Sequence, residues 1–557
     1  MNIARLKPWI LCGCVALAAA TLPSCGSSES FGSSGAGFNT DSPGGTDGND
    51  GADAMDGAGA DAGDGEPPPP EDEQAATLPG PAAGDSHVFI ASGRLDAVVR
   101  IDGASLDLDL LEVGLDPTSI AAFGSGDDLG VVVTNTGSED ISIISKAETD
   151  AEPTISTFDA GAAVNRLAVA PDSSSAVAWY APTAGEPIDI GSLQEVRVVR
   201  LEAGKLAVFT VGVGFRPLSV SFDDESAYVV TERGVSVIDV GSLKGDAFAP
   251  PVPVSPDPLE SALDREVLVA RGTTAIVRRP AADEVRLIDL TSQEATLVPT
   301  SSPPTDIDLS PDETEVVAVL RATSEVVRFG LDTPDQVTVL DMGELPAGQA
   351  TMTPDGRYAV LYTSVQSKEI PDPEGGPPTI LGPRNEWLVL LDMDAGTQRV
   401  VALEKGVKAV EASADGKRAV VLHDRWTETK VTTSASQLTA DIDRAYGFSV
   451  VDIASGYAKL ELTTVSPLGV LLTPGGERGF VLLPNPEPSG ENALIDIDLG
   501  SFAIRSIRLG SPPVHAVLVG DRLAISQDHP SGRVTFLTLG TGKTETVTGF
   551  QLNGLIR

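Results

Sequence analysis

Residues able to do chemistry are sparse in this 557-residue chain. Its four histidines are His87, His423, His515 and His529, and none is paired at helical spacing with a second His and a Glu to hold zinc. No Gly-x-Ser-x-Gly elbow and no phosphate-cradling glycine loop occurs. The acid/base candidates are therefore His423 and the adjacent Asp424, which follow the apolar run AVVL. Imidazole titrates nearest neutrality, and a neighbouring carboxylate can orient it. Four aspartates, Asp172, Asp312, Asp355 and Asp415, form a regular series in the tetrapeptides APDS, SPDE, TPDG and SADG. Aspartate bonds its own backbone two residues on, so this series reads first as a set of turns. The candidates for binding rather than catalysis are Arg384, Trp387, Arg425, Trp426 and Tyr446, which stand in or beside long insertions.

Three cysteines, Cys12, Cys14 and Cys25, bound the address. Arg5 and Lys7 precede an apolar run from Trp9 to Leu22, too short for a bilayer span and of the length of a secretory signal core. Removing residues 1–24 discards Cys12 and Cys14 and leaves Cys25 alone in an export route where disulfides are otherwise available. The sequence Leu22-Pro23-Ser24-Cys25 resembles a bacterial lipobox, with Pro23 in place of the usual small residue. The resemblance implies a lipoprotein whose Cys25 carries a diacylglyceryl group with acyl chains such as palmitate; the alternative is an ordinary cleaved signal with a stray Cys. Two acyl chains suffice for stable anchoring where one does not. Gly26 follows the lipidation position where some lipoproteins carry a retaining Asp, which favours the outer membrane, facing either the periplasm or the surface.

Residues 25–85 are rich in Gly, Ser, Ala, Asp and Pro and contain no Lys or Arg. Such a segment buries too little to offset ordering and is expected to be a disordered tether with a reach of about 40 to 45 Å. Its Asp-Gly pattern from Asp47 to Gly65 misses the spacing of a calcium loop. The whole chain holds 38 basic and 80 acidic residues, a net charge of -42. That balance excludes nucleic acid, whose binding needs clustered Lys and Arg, and leaves attachment to a membrane to the lipid.

The elements that position the candidates come from a repeat. Units start at Pro117, Val164, Pro217, Pro258, Pro304, Pro346, Val407, Pro467 and Pro513. Their spacing, 41 to 61 residues, is that of a four-stranded propeller blade with insertions. The clearest unit predicts strands over 304–310, 315–320, 325–329 and 336–340, the first two joined by the Asp-bearing turn. Strands over 87–92, 97–102 and 109–113 open the domain without a first strand, and the trailing residues 551–557 are expected to supply it. The reading is an all-β chain, a propeller of about 8 to 10 four-stranded units over 86–557, a single ring favoured over two smaller ones.

The stretch VVVTNTGSEDISII at 131–144, with NRLAVAPD at 165–172, resembles the YVTN family of β-propeller repeats. The resemblance implies the fold and carries no active site. Long insertions at 181–195, 366–386 and 426–447, with a shorter one at 484–492, are each expected between the second and third strands of a blade, so they converge on one face.

The preferred function is a non-catalytic, monomeric, lipid-anchored scaffold of the cell envelope that binds a protein or small ligand on that face. No cofactor or metal is expected beyond the lipid on Cys25. The alternative is a propeller enzyme, a lactonase-like hydrolase or quinoprotein-like oxidoreductase, using a metal or carboxylates at the channel mouth. Replacing Cys25 by Ser is expected to move the chain from the membrane pellet to the soluble fraction on cell fractionation; a variant still pelleting with membranes would refute lipid attachment at Cys25.

Overall fold

The computed structural model describes residues 76, 80–149, 153–182, 192–223, 226–257, 260, 265–364, 368–370, 379–381, 385–426, 433–487 and 490–552. Cys25, most of the tether and Arg384 lie outside them.

Short β-branched runs separated by turns build ten blades of four antiparallel strands, spanning residues 82–112, 117–159, 166–212, 217–253, 266–299, 306–341, 349–402, 409–463, 470–509 and 513–548, the third extended at its outer edge by the parallel pairing of Ala247–Phe248. We number them blades 1 to 10 and letter their strands A to D from the innermost outward. Blade 6 comprises Asp306–Leu309, Glu315–Leu320, Glu325–Gly330 and Thr333–Asp341, within a few residues of the strands its sequence predicts.

A single sheet of this size cannot bury its own apolar faces, so each blade must be covered on both. In strand B of blade 8, Ala419 and Val421 pack on blade 7, while Val420 and Leu422 pack on blade 9. That two-sided demand turns the usual strand alternation into a continuous apolar run. Ten apolar clusters result, one for each seam. The tenth joins Val88, Val99 and Ile101 of blade 1 to Val519, Val534 and Phe536 of blade 10, and it closes the ring into a ten-bladed β-propeller.

Closure departs from the sequence expectation in one respect. Strand A of blade 1 is Ala82–Ala83, paired with Val88 and Phe89, so the blade is completed from its own upstream side and not by residues 551–557. Residues 553–557 lie outside the described residues. Upstream of it, the Ala76 carbonyl accepts a hydrogen bond from Val470 N (2.7 Å) on the inner strand of blade 9. Gly80 lies so close to blade 10 that a Cβ there would meet the Ala516 carbonyl at 2.8 Å.

Polar contacts reinforce the seams. Arg100 donates to the carbonyls of Ala147 and Thr149, and Arg200 to those of Val240 and Leu243, each time in the C–D turn of the following blade. Arg418 reaches Leu499 O (2.8 Å), and Arg478 reaches Leu539 O while pairing with the buried Asp496. Near the channel, inner-strand carboxylates cap the free edge of the next inner strand: Glu266 accepts from Ile307 N, Asp306 from Ala350 N and Asp308 from Met352 N.

The recurrent aspartates are turn residues. Asp312 accepts from Ser310 Oγ and Thr314 N, Asp355 from Thr353 Oγ1 and Arg357 N, and Asp415 from Ser413 Oγ and Lys417 N. Hydrogen bonds to the charged form hold Asp312 below the usual carboxylate range. Successive turns also abut, and a Cβ on Gly416, which sits at φ +63°, would lie 2.2 Å from the Asp355 carboxylate. Gly416→Val is therefore expected to cost about 1 to 2 kcal/mol, read as a lower thermal midpoint. Gly245→Ala, where an added Cβ meets open space, serves as the comparison and should change stability by no more than about 0.5 kcal/mol.

Candidate binding face

Antiparallel order sends the A–B and C–D turns of every blade to one face of the ring and the B–C and D–A connections to the other. The four insertions follow that rule. They lie between strands B and C of blades 3, 7, 8 and 9, the last three being consecutive. The blade 7 insertion carries a two-stranded hairpin, Lys368–Ile370 with Thr379–Leu381.

Blade 8 builds the most structured part of the face. Its insertion holds helix α1, Ser434–Arg444. Thr433 is the N-cap, its hydroxyl accepting from Ser436 N at 3.1 Å. At the other end, the ammonium of the buried Lys405, from the D–A connection on the same face, donates to the carbonyls of Ile442 (2.8 Å) and Asp443 (3.3 Å). A cation there completes carbonyls that the helix leaves unmet and matches its dipole. Trp426 N donates to Asp443 O (2.6 Å), which fixes the entry of the insertion against its exit. Ala440 and Asp443 face inward, whereas Leu438 is 65% exposed.

Of the binding candidates, Arg425, Trp426 and Tyr446 come together here. The Arg425 guanidinium stands 5.4 Å from the Tyr446 ring centre, a cation–π contact at the edge of solvent. Trp387 is placed elsewhere: it opens strand C of blade 7 and packs on the seam with blade 6, the side turned away from blade 8. Arg384 lies outside the described residues.

The acid/base candidates have other work. His423 is fully buried at the end of strand B of blade 8. Nδ1 is 2.8 Å from Gly406 O, which can only accept, so Nδ1 carries the proton and Nε2 accepts from Ser449 Oγ at 2.8 Å. Burial pushes this imidazole down to about 4, opposed by the Gly406 bond and aided by the nearby Lys405 charge. A neutral ring with both nitrogens bonded joins strands B and C to the D–A connection; it presents no nitrogen to a ligand. Asp424 lies 3.6 Å from Lys408 Nζ and accepts from Ser466 Oγ. His515, on strand A of blade 10, is half-buried.

One cluster escaped the sequence reading. Ser86 Oγ lies 2.7 Å from His87 Nδ1, and His87 Nε2 lies 3.7 Å from an Asp102 carboxylate oxygen. The grouping has the residue types of a hydrolytic triad, but not its proton path. The Ser86 hydroxyl donates to Glu148 of blade 2, which also accepts from the backbone N–H groups of Ser86 (3.0 Å) and His87 (3.1 Å). The cluster therefore acts as a clamp between blades 1 and 2. A cavity of about 510 Å³ opens on this same A–B face between blades 3 and 4, lined by Asp172, Glu202, Asp223 and Asp239 beside the clamping Arg200. Among the described residues no group of His, Cys, Asp and Glu is arranged to hold a metal.

No family model and no curated protein matches the sequence. Solved structures with a similar fold include the hydrazine synthase of Kuenenia stuttgartiensis, at 17% identity and TM-score 0.30 over 49% of this chain and 76% of that one. A eukaryotic initiation factor matches at 12% identity and TM-score 0.48 over 76% and 96% of the two chains. The dihydro-heme d1 dehydrogenase NirN, in complex with DHE, matches at 13% identity and TM-score 0.37 over 78% and 77%. At these values the likeness concerns fold and carries nothing about chemistry.

The depressed His423 has a measurable consequence. The unfolded chain takes up a proton at this side chain near its ordinary value of 6.5, while the folded chain resists it down to about 4. Between those values the unfolded state binds more protons, so stability falls as pH falls through that window. Its full extent is on the order of 3 kcal/mol. His423→Asn, which keeps a donor near Nδ1 and does not titrate, is expected to flatten this part of the stability-versus-pH curve. An unchanged slope between pH 4 and 6.5 would show that the imidazole titrates freely in the fold.

Proposed function

We propose that this chain is a YVTN-type propeller lipoprotein of the cell envelope, tethered to the outer membrane through lipid on Cys25, and that it binds a protein or small ligand on its B–C face without catalysing a reaction. The observation that carries the reading is the blade 8 insertion. Helix α1 is pinned at its N-cap by Thr433 and at its C-terminal carbonyls by a buried lysine, yet it holds Leu438 out to solvent. A large apolar side chain displayed on a fixed element, in an insertion whose two ends meet in a cation–π pair, suits a recognition surface. Insertions of blades 7 and 9 flank it on the same face.

The state of the acid/base groups favours binding over catalysis. His423 is neutral, buried and bonded at both nitrogens. Three inner-strand carboxylates, Glu266, Asp306 and Asp308, accept from backbone N–H groups of the next blade. A carboxylate engaged this way loses a structural bond if it turns to activate water.

Photocrosslinking in the native cell tests the reading. A photoreactive residue at Leu438 or Arg425 is expected to capture a discrete adduct, and one at Lys543, in an exposed C–D turn on the opposite face, is not. Equal capture from both faces, or none from Leu438, would overturn the assignment of the B–C face.

A further inference from the structure

Although the chain carries more than twice as many acids as bases, one seam of the B–C face gathers arginines. Arg216 precedes strand A of blade 4, Arg233 occupies the B–C turn of that blade, Arg265 precedes strand A of blade 5, and Arg279 follows strand B of blade 5. All four connections belong to the same face. Among the described residues the carboxylates at hand do not balance them. Glu232 is taken by Arg216 at 2.7 Å, and Glu284 by Arg286 at 3.0 Å with Arg279 Nη1 at 3.6 Å. Glu260 is shared, its Oε1 accepting from Arg279 Nε at 2.8 Å and its Oε2 standing 3.8 Å from Arg265 Nη1. The other acids of these connections among the described residues, Asp257 and Asp283, are exposed.

Arg265 is the buried member, its side chain only 3% exposed. One of its Nη atoms donates to Glu232 O, but its Nε is buried without a hydrogen-bond partner. Burial lowers even this guanidinium below its ordinary range; Glu260 opposes the shift, and the positive charges of Arg233 and Arg279 add to it. Arg233 is half-buried, has no carboxylate within ion-pair distance among the described residues, and stands 5.9 Å from the Phe215 ring centre. Among the described residues, then, Arg265 and Arg279 share Glu260, Arg279 also standing near Glu284, while Arg233 meets no carboxylate. Buried cationic charge left over in this way is costly unless an anion meets it, and the planar fork of arginine fits two oxygens of a carboxylate or phosphoryl group.

We propose that the seam between blades 4 and 5 on the B–C face is a binding site for a small oxyanion, a carboxylate or phosphoryl group held by Arg233, Arg265 and Arg279. Arg265 and Arg279 form the fixed wall, since Glu260 and the Glu232 carbonyl hold them in place. Arg233 is the side chain free to close on the ligand. The site does not depend on the blade 8 surface and stands or falls separately from it.

The test is a titration of the full mature chain with inorganic phosphate and, separately, with succinate, at ionic strength held constant with chloride. Binding is read by calorimetry and by the shift in thermal midpoint. One of the two anions is expected to saturate at about one equivalent, and the one that saturates at lower concentration identifies the source. Arg233→Ala should weaken binding at least about tenfold, whereas Arg508→Ala, on the exposed outer edge of blade 9, should leave it unchanged. If circular dichroism shows Arg233→Ala misfolded, Arg233→Lys takes its place; it keeps the charge and loses the fork, so a several-fold weakening is expected. No saturable binding of either anion, or equal binding by a folded Arg233 variant and the parent chain, would overturn the proposal.

Discussion

Burial of each blade on both of its faces is the constraint from which the other features follow. A sheet apolar on both sides has no stable solution alone, and a row of such sheets leaves two greasy ends unless it closes. Ten seams with ten clusters meet that demand. Because interiors are close-packed, the loss of one large side chain such as Phe448 from a seam costs about 3 to 5 kcal/mol, enough to open the ring locally. Seam geometry in turn fixes where every turn and connection emerges. The propeller can therefore carry insertions on one face without disturbing the other.

The two faces divide the work. On the A–B and C–D side, short turns with aspartate at their centre abut one another, and arginines cross several of the seams to the next C–D turn. On the B–C and D–A side, connections are longer, and the inserted helix and hairpin stand on strands already locked by packing. Rigid strands with variable connections are the usual way a repeat scaffold acquires a binding surface.

Most of the fold could be read in the sequence because its signals are local. The blade period, the Asp turns, the strands of blade 6 and the position of all four insertions depend on neighbours within about one hairpin. What escaped depends on contacts between blades. Ala82–Ala83 has neither length nor β-branching to mark it as a strand, and it becomes one only because the open edge of His87–Ser92 lies beside it. Arg100, Arg200, Arg418 and Arg478 look like ordinary strand arginines until the next blade brings a carbonyl within reach. Trp387, like Trp426, stands at the edge of a long insertion, but strand register turns it to the seam with blade 6. The arginines of the blade 4–5 seam lie in four separate connections, and only closure of the sheets makes them neighbours.

Ring closure also bears on how any tether would load the domain. In a ring sealed by a strand from the far end of the chain, force applied to the N-terminus peels one blade. Here the segment entering blade 1 first touches two other blades: the Ala76 carbonyl caps Val470 N, Ala76 is buried in the blade 8–9 seam, and Gly80 lies against Ala516 of blade 10. A pull on that segment must break the contact at blade 9 and slide past blade 10 before it reaches the two-residue strand of blade 1. The short inner strand of blade 1, weak by its length, is shielded by contacts its upstream neighbours make with different blades. Attachment at Ala76 thus protects the closing seam, the place where an open ring would expose two apolar sheet faces at once.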